Sequence, residues 1–399
     1  MQILLVAQPN SARRVEVSLL LAGFGSAGVL HEINLIMLYK WETSDMSTCI
    51  YLKKSEPNVT FTAREHIIPA GIGGIHKLEL GYVSDEINNA FSKLELNFMR
   101  NSITALPRQF VGPGKRGDLS EKKGSKSNIH IMTNNENDGD VKLGYIKLSK
   151  PYHIPQILIY SNDTVEFCFN QTDGEYGIQL TDFINNLRGF KDSLNLIVNE
   201  KVPKHLVILG YSDSKWIMAK NNININIPYE NIITKLINDT KIHDIKPSYD
   251  STKVTSHQHL VFDITQFYRV CSKIVFNFLA SSKGVDYVLQ GKFDPIRNWI
   301  VSGGDNEYTR HLDNCDGEKI MSKISLPNQA HCIIICKFDN SLIGLLSLYG
   351  GATYILVKLC GNYEEKDIYF HGYICDWLNK KEYDYFDYIN LLNQEEDFV

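Results

Sequence analysis

The stretch TAREHIIPAGIGGIHKLELGYVSDEINNAFSKLE, residues 62 to 95, places an acidic residue beside a histidine, turns on glycines, and ends in a helix-like pattern. Glu65 and His66 close an apolar, extended run, and Gly71, Gly73 and Gly74 mark a turn. KLELGYV, residues 77 to 83, reads as a strand. Ser84 or Asp85 suits a helix N-cap, with Asp85 and Glu86 in the first turn. Ile87, Phe91, Leu94 and Phe98 recur at helical spacing and predict one buried face, with Asn88, Ser92 and Glu95 on an adjacent face. Asn88 follows His66 by 22 residues, so a carboxylate, an imidazole and an amide lie within the span of one hairpin and one helix.

Working outward, the chain has 399 residues, 43% hydrophobic and 22% charged, enough for two or three domains with buried cores. Its net charge of −5 gives no overall basic character, so any nucleic-acid signal has to be local. One local excess exists: Lys93, Arg100, Arg108, Lys115, Arg116, Lys122, Lys123 and Lys126 stand against three acids, Glu95, Asp118 and Glu121. Taken alone, such a cluster also fits an ordinary solvated face. Eight cysteines are scattered singly with no C-x-x-C pair, which argues for reduced thiols and a cytoplasmic setting. Residues 1–48 are expected to be an N-terminal extension. Its apolar run from Val17 to Leu30 is too short for a spanning helix, and a signal peptide is the lesser alternative.

The expected organisation is a compact module over 49–117, a flexible basic and polar linker over 118–141, and a mixed α+β region over 142–399. In the last region HLVILGY (205–211) reads as a buried strand and ITQFYRVCSKIVFNFLASSKG (264–284) as a helix ending at Gly284. HCIIICKFDNSLIGLLSLYGGATYILVKLC (331–360) reads as three antiparallel strands joined at Asp339-Asn340-Ser341 and Gly350-Gly351.

Hydrolysing a phosphodiester requires an activated water, stabilisation of charge on the phosphate, and support for the leaving oxygen. A carboxylate and an amide oxygen suit a hard ion such as Mg²⁺. Glu65 and Asn88 supply that pair, with His66 as the adjacent base. The plainer alternatives are an exposed polar Glu-His pair and an Asn-Asn that only caps a helix.

The ordered set Glu65-His66-Ile67-Ile68-Pro69, Gly73-Gly74, Asn88-Asn89, Phe91-Ser92 and Leu94-Glu95 resembles the HNH, or ββα-metal, endonuclease superfamily. The branch reads roughly C-x-x-C, EH-x-IP-x-x-x-GG, then C-x-x-CNN-x-FS-x-LE and a basic stretch. The resemblance implies an α+β fold in which a small ββα-metal module precedes a larger region with antiparallel strands. It implies Glu65 as metal ligand, His66 as general base, Asn88 as second ligand with Asn89 the alternative, and a divalent cation such as Mg²⁺ as cofactor. DNA is the implied partner, with Arg100, Arg108, Lys115 and Arg116 as candidate backbone contacts. In this branch four cysteines hold a structural zinc. The matching positions here are Cys49, Leu52, Ser84 and Ile87, so no structural zinc is expected and a small apolar cluster is expected in its place. Two further readings stay open: a fold-retaining nucleic-acid-binding protein without turnover, and a defence-system effector whose C-terminal region performs recognition.

Overall fold

The helical spacing of Ile87, Phe91 and Phe98 is realised in α1 (Asp85–Asn101), where these side chains form a buried stripe and Leu94 packs at its edge. Ser84 sits at the N-cap position with extended backbone. Asp85 then reaches backward, accepting from the Thr60 hydroxyl at 2.6 Å and the Thr62 amide at 3.0 Å. These bonds hold the Asp85 carboxyl below the ordinary aspartate pKa and tie the preceding segment to the helix start. A short helix, α2 (Ala105–Phe110), follows. The structure, a computed structural model, describes residues 47–134, 140–169, 174–190, 194–223, 227, 229–238, 245–248, 254–258, 261–321, 325–364 and 370–396. Nearly all of the expected N-terminal extension lies outside the described residues.

KLELGYV does not form a strand. The two sides of the Glu65–Leu78 arch meet in a single antiparallel bridge, His66 with Lys77. Two backbone bonds flank it, Ile67 N–H to the His76 carbonyl at 3.1 Å and Leu78 N–H to the Glu65 carbonyl at 2.8 Å. Tyr82 N–H then closes a turn onto the Glu79 carbonyl at 3.3 Å, and Leu80 is left exposed. The backbone groups at the crown of the arch are taken by side chains from distant segments, which replaces a hairpin ladder with individual anchors.

Residues beyond Ser127 form separate layers. β1 (His130–Asn134), β2 (Val141–Lys147) and β3 (Lys150–His153) belong to a four-stranded antiparallel sheet whose other edge is β10 (Val254–His257). A six-stranded mixed sheet holds β4 (Gln156–Tyr160), β5 (Val165–Cys168), β6 (Leu194–Val198), β7 (Leu206–Ser212), β8 (Lys215–Lys220) and β9 (Lys246–Ser248), in the order β6-β8-β7-β4-β5-β9. Strand alternation turns Ile157, Ile159, Phe167 and Leu209 toward α3 (Tyr176–Leu187) and α4 (Tyr229–Asn238). It turns Leu158, Ile208 and Ile217 toward Ile131, Val141 and Leu143. The boundary expected at 141/142 therefore separates β1 from the strand it pairs with, Ile131 opposite Leu143. Residues 130–134 are part of a sheet, not of a linker.

The chain then enters α5 (Ile264–Lys283), capped by Asp263, whose carboxylate accepts from the amides of Thr265 and Gln266, and ended by Gly284. α6 (Val285–Val288) and α7 (Asp294–Ser302) follow. β11 (Thr309–Leu312), β12 (His331–Phe338), β13 (Ser341–Leu348), β14 (Thr353–Cys360), β15 (Phe370–Asp376) and β16 (Lys381–Asp384) make an antiparallel sheet ordered β11-β14-β13-β12-β15-β16. β12 to β14 match the three strands expected from the sequence. Among the described residues no helix is long and apolar enough to cross a membrane.

The cores divide the chain differently from the expected domains. One cluster joins Cys49, Ile50, Ile68, Ile87, Phe91 and Phe98 to Phe267, Ile274 and Leu279 of α5 and to Ile333, Leu346 and Ile355 of the C-terminal sheet. Residues 49–98 thus share their interior with 267–377, and the sheets of 130–257 are interposed in sequence between the two halves. Ile87→Asp places a charge in this common interior, and it should lower stability by about 3–5 kcal/mol. Urea unfolding followed by Trp fluorescence measures that loss; an unchanged midpoint would show that Ile87 does not pack as described.

Candidate functional site

Glu65 and His66 are consecutive on extended backbone, so their side chains leave on opposite sides. Glu65 turns inward and is 6% exposed, whereas His66 is half-buried. The Glu65 Oε1 accepts from the Lys273 ammonium at 2.8 Å, and the same ammonium donates to Glu95 Oε1. Lys273 comes from the middle of α5 and is fully buried, with its Nζ 5.2 Å from the centre of the Phe91 ring. Burial opposes its charge, but Glu95 and Glu65 more than offset that, and its pKa lies above the ordinary lysine value. One turn along α5, the Asn277 amide donates to the His66 carbonyl at 2.9 Å and accepts from the Tyr51 hydroxyl at 2.6 Å. Lys273 and Asn277 thus fix both Glu65 and His66 from a helix 208 residues or more away in sequence.

Partial burial, followed by the charge of Lys77, lowers the His66 pKa below the ordinary histidine value, against a smaller pull from Glu65. At neutral pH the imidazole is uncharged and keeps a lone pair. Asn88 is half-buried in the first turn of α1, and Asn89 is exposed.

The crown of the arch is held rigidly. Arg108 Nε donates to the Gly71 carbonyl at 2.8 Å, and His331 Nε2 to the Ile72 carbonyl at 2.9 Å. The Glu382 carboxylate accepts from the Ile75 and His76 amides at 2.9 and 2.6 Å. Gly73 has φ +103°, and a Cβ there would lie 2.3 Å from Trp377 Cβ, so both backbone and space require glycine.

Four basic residues were expected to meet DNA, and they separate here. Arg100, Lys115 and Arg116 are exposed. Arg108 is 7% exposed, and its guanidinium also reaches the Gly114 and Met99 carbonyls at 3.2 and 3.4 Å. With its donors committed to the backbone, Arg108 is an internal clamp, and its assignment as a phosphate contact is withdrawn. The Lys115–Gly117 turn packs against the Ala70–Ile72 turn, which sets Lys115 and Arg116 beside the arch.

The positions matching the zinc cysteines converge. Ser84 N–H points at Cys49 Sγ over 3.4 Å, Ile87 and Cys49 are buried, and Leu52 packs on the same cluster. Cys49 N–H bonds the Lys54 carbonyl at 2.9 Å, Ile50 N–H bonds the Tyr82 carbonyl at 2.8 Å, and Arg297 Nε donates to the Ile50 carbonyl at 2.6 Å. A tight turn and a helix start are therefore joined by packing and hydrogen bonds.

Lys273 engages one oxygen of Glu65 and one of Glu95, and each carboxylate has a second oxygen. Hard oxygen donors of this kind suit Mg²⁺, which is commonly held by one or two carboxylates and keeps several waters. Among the described residues no group of three or more His, Cys, Asp and Glu side chains is placed to hold a metal. Comparison of the chain with protein family models, curated proteins and solved structures found no match.

Sequence reasoning missed Lys273, Asn277, His331 and Glu382, all remote from the arch in the chain. A readable signal existed for one of them: Lys273 interrupts the apolar stripe of Val270, Ile274 and Phe278. His331 also sets a pH dependence. Burial lowers its pKa to about 4, its Nδ1 accepting from the Tyr349 amide at 3.0 Å. The unfolded chain, with an ordinary histidine value of 6.5, binds the proton first. The stabilisation is therefore present above pH 6.5 and is lost as pH falls toward 4. Its full size is about 3 kcal/mol. The fall in urea midpoint from pH 7 to pH 5 should be smaller in His331→Gln than in the parent; equal falls would remove His331 from the account.

Proposed function

We propose that this chain is a metal-dependent endonuclease of the ββα-metal type that hydrolyses DNA phosphodiester bonds. The observation that carries the proposal is the pairing of a neutral, half-exposed His66 with an adjacent Glu65 whose orientation is fixed by a buried ammonium. In this reading His66 takes a proton from the attacking water, and Asn277 holds the His66 backbone carbonyl. Glu65, with Asn88 or Asn89 from the start of α1, would hold the divalent ion, which when bound polarises the phosphate and supports the leaving 3′ oxygen. Lys115 and Arg116, with Arg100 further along α1, position the DNA backbone without reading sequence.

A second reading, a nucleic-acid-binding protein without turnover, is favoured by one feature. The Glu65 carboxylate is already paired with the buried Lys273 ammonium. Plasmid nicking with Mg²⁺ and with EDTA separates the two. Nicking that requires Mg²⁺ supports the nuclease, and binding without nicking supports the second reading.

His66→Ala should reduce nicking by roughly 10²-fold to 10⁴-fold while leaving DNA binding intact. Because the base works unprotonated and its pKa is depressed, parental activity should fall on the acid side with a midpoint below 6.5. A variant as fast as the parent, or a midpoint above that value, removes His66 from the role. Neutralising Lys115 and Arg116 together should weaken binding about equally for unrelated duplexes and flatten its salt dependence by up to about 2 units of slope. Unchanged affinity at low salt would return these residues to the solvated surface.

A further inference from the structure

The charges that meet at Lys273 do not cancel. Glu65 and Glu95 carry two negative charges against one ammonium. Adding a divalent cation at Glu65 reverses the local sign to one net positive charge, and a phosphodiester, itself singly negative, restores neutrality. Lys273 is fully buried, so solvent ions screen its charge weakly, and it is carried on a rigid helix packed into the common core. Its charge is therefore a permanent part of the centre and repels an arriving cation.

We infer that Lys273 sets the order in which the centre is filled: it keeps the divalent affinity of the free protein low, so that cation and DNA phosphate bind as a pair. The inference rests on the assignment of Glu65 as the cation's ligand. Linkage makes the coupling reciprocal, so DNA raises cation affinity by the factor by which the cation raises DNA affinity. Lys273 is a positioning residue in this scheme: it touches the carboxylates and not the substrate.

The test is a Mn²⁺ titration read by the EPR signal of free Mn²⁺, on full-length His66→Ala protein so that DNA stays uncut, with and without a DNA duplex. The free protein should bind Mn²⁺ weakly, and the duplex should tighten binding by about tenfold or more. Adding Lys273→Met should tighten Mn²⁺ binding in the absence of DNA by about tenfold or more and shrink the further gain from DNA. Glu65→Gln should remove the binding in either background. A merely structural lysine gives the opposite result, because its loss disorders the carboxylates. Unchanged or weaker Mn²⁺ binding in Lys273→Met therefore overturns the inference while the cation site itself stands. Absence of any Glu65-dependent Mn²⁺ binding, with or without DNA, overturns both the inference and the nuclease proposal beneath it. Should Lys273→Met fail to fold, Lys273→Gln, which removes the charge but keeps a polar side chain, serves the same purpose and should also tighten Mn²⁺ binding without DNA; unchanged or weaker binding there overturns the inference.

Discussion

The ammonium of Lys273 between Glu65 and Glu95 is the contact on which the candidate centre depends. Three segments far apart in sequence meet there: the arch, α1 and α5. A buried charge is tolerated only when paired, and removing one partner leaves the others uncompensated in a low-dielectric interior. The triad therefore acts as a condition on folding as well as on the geometry of the candidate centre. Glu65 takes its orientation only once α5 has docked, and α5 docks through the same apolar cluster that buries α1. Asn277 extends the logic by one turn, satisfying the His66 carbonyl and the Tyr51 hydroxyl with one amide.

The arch illustrates how a segment with almost no ladder is nevertheless fixed. Its Ile72 carbonyl is buried and its Gly71 carbonyl partly so, and such groups are rarely left unpaired, whereas the Ile75 and His76 amides lie at its exposed end. Arg108, His331 and Glu382 supply the partners that strand pairing does not. Two of the three contacts involve charged groups, which make stronger hydrogen bonds than neutral ones. The strategy also explains the glycines: side chains press so closely on the crown that a Cβ at Gly73 meets Trp377 and one at Gly74 meets the Ile68 carbonyl.

What was legible in the sequence was what local periodicity encodes. The stripe of Ile87, Phe91 and Phe98, the capped helix from Asp263 to Gly284, and the three strands from His331 to Cys360 are each set by residues close together in the chain. KLELGYV misled because Leu78 and Leu80 alternate like a strand, yet only Leu78 is buried. Composition likewise could not separate Arg108 from Lys115. Both are basic residues in one stretch, and only the fold shows that one of them faces three carbonyls. The domain boundary was hidden for a related reason. Sequence order suggests that a module is followed by a region, whereas the interior of the module is completed by residues that arrive after an intervening pair of sheets.

That shared interior also holds the turn where Cys49, Leu52, Ser84 and Ile87 converge. A small module closed by zinc draws its stability from the ion and can fold with few other contacts. Here the same turn is held by Arg297 on the Ile50 carbonyl, by Lys53 paired with Asp294 at 2.5 Å, and by burial of Cys49 and Ile87 against α5 and its neighbours. The stability of this turn therefore comes from the surface it shares with α5, α7 and the C-terminal sheet. The C-terminal half then has a direct part in the centre: it contributes Lys273 and Asn277 to the site, His331 and Glu382 to the arch, and Arg297 to the turn. The geometry at Glu65 and His66 is coupled through these contacts to α5 and the C-terminal sheet, so any change that loosens that sheet is transmitted to the arch through groups already in contact with it.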